Sequence, residues 1–501
     1  MKPRWPCRRA RRSSGRQTLN KSFKHKRALA LLGLSLGCAF SAQAVKIKIV
    51  NADPPGVGFN DATPVAPVGG NEGTTLGAQR MNVYLNVAKK WAKHLPEGGP
   101  DILINADWPA LSCTATSATL GSAGANSVWR DFPNAPYPGT WYSAALANTL
   151  AGADLDEGTE PEINSHFNVN LGQTGCLDGT SFYLGLDGNA PANTINFAVV
   201  LMHEVGHGLG FQALTSGSSG ARISDGVNAY PAQWERWMYD NTTGKTWLEM
   251  TDAERKASAI NARNLVWVGA NVTAAVPEVL KKGTPELLVK STENPDLVGA
   301  YLVGAASFGP TLATRVKAPI GRVIDQADGK TGLACNPLTG DNATLVAGRI
   351  ALVDRGSCAF TIKVKNAQDA GAVGVIVADN TAGGPPAGMS GTDASITIPS
   401  VRITLDDGAK LKAVLMGDMR LSDNVKGILH VNKDQYAGAD AQGRALLYTP
   451  NPYQSGSSVS HYDTIAFRNL LMEPAINSDL PVYRVTPPKD LTLPLLQDIG
   501  W

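Results

Sequence analysis

Alternation of apolar and polar residues predicts both strands and helices in the first half of the chain. Residues 45–50, Val-Lys-Ile-Lys-Ile-Val, alternate with a period of two, which is typical of a half-buried strand. Residues 76–94 carry apolar side chains at helical spacing, and the apolar stretch over 194–209 predicts a second helix. Further strands are predicted at 101–105, 163–170 and 181–186.

The pattern changes after about residue 277, where runs rich in β-branched residues begin. Three such runs are found at 348–353, 372–377 and 396–401. Between the first two, residues 360–370 are amphipathic at helical spacing. This order predicts a small, independent α/β module, after which the chain becomes rich in loops from about residue 430.

The first 44 residues have the layout of a secretory signal peptide. A basic stretch precedes an apolar run at 28–37, and Ala42-Gln43-Ala44 forms a cleavage site, so we expect an exported protein cleaved after Ala44. Removal of these residues leaves 34 basic and 43 acidic residues, a net charge of −9, which argues against nucleic-acid binding. No later segment is apolar enough to predict a transmembrane anchor.

Four cysteines follow the predicted signal peptide, and an even number in an exported chain favours disulfides over free thiols or zinc ligands. Their proximity in sequence predicts the pairs Cys113–Cys176 and Cys335–Cys358.

The strongest chemical signal is the segment His203-Glu204-Val205-Gly206-His207. Histidines four apart lie on one face of a helix, one turn apart, so both imidazoles can reach one metal ion. Glu204 would lie beside the open metal position and act as the general base toward a zinc-activated water. A helix with two core histidines fits less well, because a buried Glu without a partner is costly.

A catalytic zinc site needs a third protein ligand, and the sequence leaves two candidates. Gly210, three residues after His207, suits the turn that ends the helix, and His-Glu-x-x-His-x-x-Gly is the start of the metzincin signature. That signature expects its third His at the position of Ala213. Glu235, on a second helix, is one alternative ligand; His461 is the other.

The segment around His461 resembles the leishmanolysin-like group of metzincins. Ser460-His461-Tyr462 is followed, 11 residues after His461, by Met472. In that group an inserted domain displaces the third His far downstream, and a Met shortly after it forms a turn beneath the metal. The resemblance implies that His461 is the third ligand and Met472 the Met-turn residue, although Tyr462 replaces the group's Trp.

The inserted segment resembles a protease-associated (PA) domain over roughly residues 300–420. The match rests on the run 348–360, which includes Cys358, and on 363–380. We therefore expect an α+β protein in which a metzincin-like catalytic domain, a twisted mixed sheet with an active-site helix, is interrupted by a β-rich PA domain. The expected boundaries are 1–44 for the signal peptide, 45–280 and 431–501 for the catalytic domain, and 281–430 for the PA domain.

These features predict a secreted zinc endopeptidase with one catalytic zinc ion and protein or peptide substrates. A peptide would bind as an added strand at a sheet edge, for which the strand near 181–186 is the candidate. The rival hypotheses are a secreted binding protein that acts through the PA domain and a vestigial zinc site, and a hydrolase of non-peptide bonds. The sequence defines neither a calcium site nor an oligomeric state.

Overall fold

A computed structural model describes residues 45–415, 423–477 and 479–501. The predicted signal peptide, 1–44, lies outside the described residues. The architecture is α+β. None of the described helices has the length and apolar character that a membrane crossing requires.

The strands before residue 281 are β1 (Ile47–Asn51), β2 (Ile102–Asp107), β3 (Cys113–Thr114), β4 (Ser117–Ala118), β5 (Gly121–Ala125), β6 (Val128–Trp129), β7 (Tyr142–Ser143), β8 (Ile163–Phe167), β9 (Ser181–Tyr183), β10 (Thr194–Asn196), β11 (Ile223–Ser224), β12 (Ala229–Tyr230), β13 (Met238–Asp240), β14 (Lys245–Thr246) and β15 (Leu265–Trp267). The helices of the same part are α1 (Leu76–Ala92), α2 (Ala144–Ala151), α3 (Phe197–Gly208), α4 (Asp252–Ser258) and α5 (Ala270–Val279).

The later strands are β16 (Lys282–Ser291), β17 (Gly299–Tyr301), β18 (Gly304–Ala305), β19 (Val316–Arg322), β20 (Ile350–Asp354), β21 (Gly374–Ala378), β22 (Ser400–Ile403) and β23 (Val425–Tyr436). The later helices are α6 (Gly340–Val346), α7 (Phe360–Asp369), α8 (Leu405–Val414) and α9 (Thr492–Ile499).

A four-stranded mixed sheet supports the helix that carries His203 and His207. Its strand order is β1-β2-β8-β5, with β5 antiparallel to β8 and the other pairs parallel. The period-two pattern sets the faces of the sheet: Ile102, Ile104 and Ala106 of β2 are buried, and the residues between them are less so. Helices α1 and α3 pack on the buried face of this sheet.

The sheet edge beside α3 differs from the sequence expectation. The strand expected at 181–186 is only Ser181–Tyr183 and pairs with β10 in a separate two-stranded sheet. The edge strand of the main sheet is instead β5, Gly-Ser-Ala-Gly-Ala, which the pattern did not predict. Small residues carry little strand propensity, so this strand is specified by its partner β8 and by the helix behind it rather than by its own sequence.

Strands β16 to β23 form an eight-stranded sheet in the order β17-β16-β23-β19-β20-β21-β22-β18. Strands β19 to β22 are parallel neighbours, as expected for an α/β module. Alternate residues of β20 enter two different hydrophobic clusters: Ile350 and Leu352 one, Ala351 and Val353 the other. The sheet is therefore buried on both faces, which accounts for its nearly continuous apolar runs.

The chain returns to the first core after this sheet. One hydrophobic cluster unites side chains from 45–280 with others from 439–499, among them Met472 and several residues of α9. The two predicted disulfides are present, Cys113–Cys176 and Cys335–Cys358.

Candidate metal centre

Asn196 and Gly210 set the two ends of helix α3. The Asn196 side chain accepts hydrogen bonds from Ala198 N at 3.1 Å and Val199 N at 3.4 Å, which caps the first turn. Beyond the helix, Gly210 adopts a φ of +109°, and a Cβ there would lie 2.8 Å from Ser143 Oγ. A glycine is thus needed for the turn that follows His207.

Three buried histidines point their Nε2 atoms at one point. The Nε2 separations are 3.0 Å for His203–His207, 3.2 Å for His207–His461 and 3.2 Å for His203–His461. Bonds of 2.0–2.1 Å to one tetrahedral ion would separate the ligand nitrogens by about 3.3 Å. Among the described residues these three form the one group of His, Cys, Asp or Glu side chains arranged to hold a metal ion.

Each of these histidines is oriented by a backbone carbonyl. Nδ1 of His203 donates to Leu471 O at 2.7 Å, that of His207 to Phe211 O at 2.6 Å, and that of His461 to Ser457 O at 2.8 Å. With the proton on Nδ1, every Nε2 presents a lone pair to the common point. Three acceptor atoms at such short range cannot form hydrogen bonds with one another, because none of them carries a proton. They can all bind one shared cation.

Burial keeps the three imidazoles neutral. It lowers the pKa of His203 to about 4 and that of His461 to about 3, and it lowers the pKa of His207 well below its usual value. Neutral imidazole is the form that binds metal, so protons do not compete for the site near pH 7.

Glu204 follows His203 in α3, and its carboxyl group is held by the edge strand. Its Oε2 accepts a hydrogen bond from Ala123 N of β5 at 2.8 Å. Burial raises the pKa of Glu204 to about 7, so the carboxyl can both accept and return a proton near neutral pH.

The segment that carries His461 is fastened to the rest of the centre by backbone contacts. Ala213 N donates to Ser460 Oγ at 3.1 Å, and Tyr462 N donates to Met472 O at 2.8 Å. Met472 is fully buried beneath α3, where a Cβ on Gly206 would lie 3.0 Å from its Sδ. The position of Ala213, at which the metzincin signature has a ligand, therefore supports the ligand segment through its amide.

The alternative prediction, Glu235 as the third ligand, does not agree with the structure. Its carboxylate accepts hydrogen bonds from Thr215 Oγ1 at 2.5 Å and from Arg222 Nε at 2.8 Å. It also accepts one from Ala232 N at 3.2 Å. These contacts use the carboxylate within the core, and Glu235 is not a member of the histidine group.

Several groups that build the centre carry no sequence signal. Ala123 and Leu471 act through backbone atoms, and the carboxylate of Asp490 accepts the amide of Leu471 at 2.7 Å. The carboxyl group of Glu473, which belongs to the supporting turn rather than to the centre, accepts the adjacent amide of Leu470 at 2.7 Å. The two acidic residues follow His461 by 12 and 29 positions, and only the fold shows that they meet the same turn.

Comparison with known proteins identifies one part of the chain. The family model of the PA domain matches residues 318–411, so the chain contains a PA domain. The minor extracellular protease Vpr of Bacillus subtilis (strain 168) is 39% identical over 70 residues, which cover 14% of this chain and 8% of that protein.

Two further relatives carry peptidase names. The probable lipoprotein aminopeptidase LpqL of Mycobacterium tuberculosis is 28% identical over 228 residues, 45% of this chain and 39% of that protein. A solved aminopeptidase from Aneurinibacillus sp. strain AM-1 is 25% identical, with a TM-score of 0.23 and 31% of each chain covered. The chain spans less than half the length of each of these relatives.

Proposed function

We propose that this protein is a secreted, zinc-dependent endopeptidase of the metzincin type. The observation that carries the proposal is the convergence of His203, His207 and His461 Nε2 atoms within 3.0–3.2 Å. Glu204 follows His203 directly in α3. The catalytic domain would comprise 45–280 and 431–501, with the PA domain inserted as 281–430. The two disulfides are compatible with an extracellular location.

His203, His207 and His461 would hold one zinc ion, and zinc bound there would polarise a water molecule and the carbonyl of the substrate. Glu204 would take a proton from the attacking water and deliver it to the leaving amine. A pKa of about 7 suits both roles, because the carboxylate and the carboxylic acid are both populated at neutral pH.

The free edge of β5 is the surface that we propose for substrate. Strand β5 pairs with β8 on one side, and on its other side the Ala123 amide faces Glu204. An extended peptide laid along this edge would pass the general base and could add main-chain hydrogen bonds as a further strand. This replaces the strand near 181–186 as the candidate edge.

The alternative is a binding protein with a vestigial zinc site. Glu204 favours the enzyme, because a site that only binds metal has no use for a buried carboxyl group on the helix that carries two ligands, and its burial is costly. Part of this chain is also similar to a protein named as a receptor, vacuolar-sorting receptor 3 of Arabidopsis thaliana, so similarity to named peptidases does not by itself separate the two functions.

The decisive experiment compares the wild-type protein with Glu204→Gln and with the matched control Glu278→Gln, an exposed residue of α5. We expect about one zinc per chain in all three proteins, casein hydrolysis by the wild type and the control that a chelator abolishes, and loss of at least about 10²-fold in Glu204→Gln. Activity that survives in Glu204→Gln, or wild-type protein without bound zinc, would contradict the mechanism.

A second assay separates endopeptidase from aminopeptidase activity, the activity named for LpqL. Peptides blocked at both ends should be cleaved internally, whereas an amino-acid p-nitroanilide with a free amine should be a poor substrate. Cleavage restricted to the free-amine substrate would identify an aminopeptidase, and cleavage of esters alone would favour a hydrolase of non-peptide bonds.

A further inference from the structure

Of the three carbonyls that orient the histidines, one differs from the others in its origin. Phe211 O and Ser457 O lie four residues from His207 and His461, within the same turns. Leu471 O lies 268 residues from His203. The orientation of His203 therefore depends on how well a distant segment is held in place.

Asp490 holds that segment. Its Oδ2 accepts a hydrogen bond from Leu471 N at 2.7 Å, on the residue whose carbonyl accepts from His203 Nδ1. Its Oδ1 accepts from Thr492 N at 2.7 Å and from the Thr492 hydroxyl, so the carboxylate is also tied to the start of α9. Asp490 is 1% exposed, and burial raises its pKa to about 6.

Burying a carboxylate at this place costs desolvation free energy. A neutral side chain could fill the same space without that cost, so packing alone does not explain the carboxylate. A charged acceptor makes a stronger bond to a backbone amide than a neutral one does, and it thereby fixes Leu471 more tightly. Groups that orient a ligand from behind commonly change metal affinity by 10- to 100-fold when removed.

We propose that Asp490 is a positioning residue for the metal centre, which acts through Leu471 to aim the Nε2 lone pair of His203. This inference rests on the metal-binding part of the proposed function and extends it to a carboxylate 283 to 287 residues away from the helix ligands. The side-chain hydrogen bonds of Asp490 go to Leu471 and Thr492, so it acts on His203 through Leu471 and not by direct contact.

The neighbouring Glu473 provides a matched control. Its Oε1 accepts from Leu470 N at 2.7 Å, so it anchors the same turn through an adjacent amide, but none of its hydrogen bonds leads to a residue that orients a ligand. Thr492→Val is a second control, because it removes the hydroxyl bond to Asp490 at the start of α9 and leaves the bond to Leu471.

The test measures zinc affinity of the full chain at pH 7 by competition with a chromophoric chelator. Asp490→Ala should weaken zinc affinity by about 10- to 100-fold. Asp490→Asn, which keeps an acceptor oxygen, should weaken it by about 3- to 10-fold. Glu473→Ala and Thr492→Val should stay within about twofold of the wild type, whatever their melting temperatures. Cobalt(II) in place of zinc should show an altered d–d spectrum in the Asp490 variants only.

The inference is overturned if Asp490→Ala folds with wild-type circular dichroism and wild-type zinc affinity, or if Glu473→Ala weakens binding equally. Should Asp490→Ala fail to fold, Asp490→Asn decides, and unchanged affinity with an unchanged cobalt spectrum refutes the proposal. A wild-type protein that binds zinc but cleaves no peptide would refute the proposed function and leave the role of Asp490 standing.

Discussion

Gly206 of α3 lies against the thioether of Met472, and a Cβ on Gly206 would come within 3.0 Å of Met472 Sδ and 3.3 Å of its Cε. Gly206 stands between the two helix ligands His203 and His207. Because glycine has no side chain, α3 can approach the Met472 turn closely at this position. The contact joins two segments separated by more than 260 residues in sequence.

Gly206→Ala should lower both thermal stability and zinc affinity. Alanine favours a helix by about 1 kcal/mol over glycine, but here the added methyl must displace a fully buried side chain, and overpacking costs about 1–3 kcal/mol. The double variant Gly206→Ala/Met472→Ala checks the cause. The Gly206→Ala change is made once in the wild type and once in Met472→Ala, and the fall in melting temperature is compared. If the contact is responsible, the fall should be smaller in the Met472→Ala background, where the thioether is missing. Equal falls in the two backgrounds would rule the contact out.

The amide of Ala123 should matter for catalysis, because it donates to the general base at 2.8 Å. Ala123→Pro removes this N–H and should lower kcat by about tenfold or more, with zinc content unchanged, since the base loses the group that holds it. Ala123→Gly keeps the N–H and is the control; it should stay within about threefold of the wild-type kcat. Equal kcat in the proline variant would show that the hydrogen bond does not position Glu204.

Much of the histidine group could be predicted from the sequence, because its members are recognised by the type and spacing of their side chains. Two histidines four apart on an apolar helix share one face under any fold, and His461 was found through its resemblance to a known segment. The residues that complete the centre act through backbone atoms, as Ala123 and Leu471 do, or through carboxylates far away in sequence, as Asp490 does. Such contacts depend on the path of the chain, which one sequence does not display.

The edge strand was missed for a related reason. Strand β5 consists only of Gly, Ala and Ser, so neither periodicity nor propensity distinguishes it from a loop. Its structure comes from five register pairs with β8 and from packing against α3. The strands of the PA domain, by contrast, are buried on both faces, and their β-branched runs were visible in the sequence.

The two disulfides should stabilise the protein to different degrees. Loop-closure entropy grows with the number of residues enclosed, and the pairs enclose separations of 63 and 23 residues. The chain-entropy relation gives about 4 kcal/mol for Cys113–Cys176 and about 3 kcal/mol for Cys335–Cys358. Replacing each pair by serines should therefore lower the melting temperature in both cases, with the larger fall for Cys113 and Cys176. A larger fall for the PA-domain pair would show that native-state contacts, rather than loop entropy, dominate.

Glu473 should make stability depend on pH in a defined direction. Burial raises its pKa to about 8 from an ordinary value of 4.5, so the folded protein binds this proton more tightly than the unfolded chain does. Stability is therefore lost as pH rises from about 4.5 through about 8. Glu473→Gln carries no titrating group here and should melt at a higher temperature than the wild type at pH 8–9, by at least about 2–4 °C, with a much smaller difference near pH 5. Glu204 also titrates in this range, but it is present in both proteins and cancels in the difference; the charge of Asp490 contributes to the raised pKa of Glu473 and is therefore part of the effect. Melting curves of the two proteins from pH 5 to 9 measure the effect, and a difference that stays constant with pH would mean that the Glu473 carboxyl titrates normally.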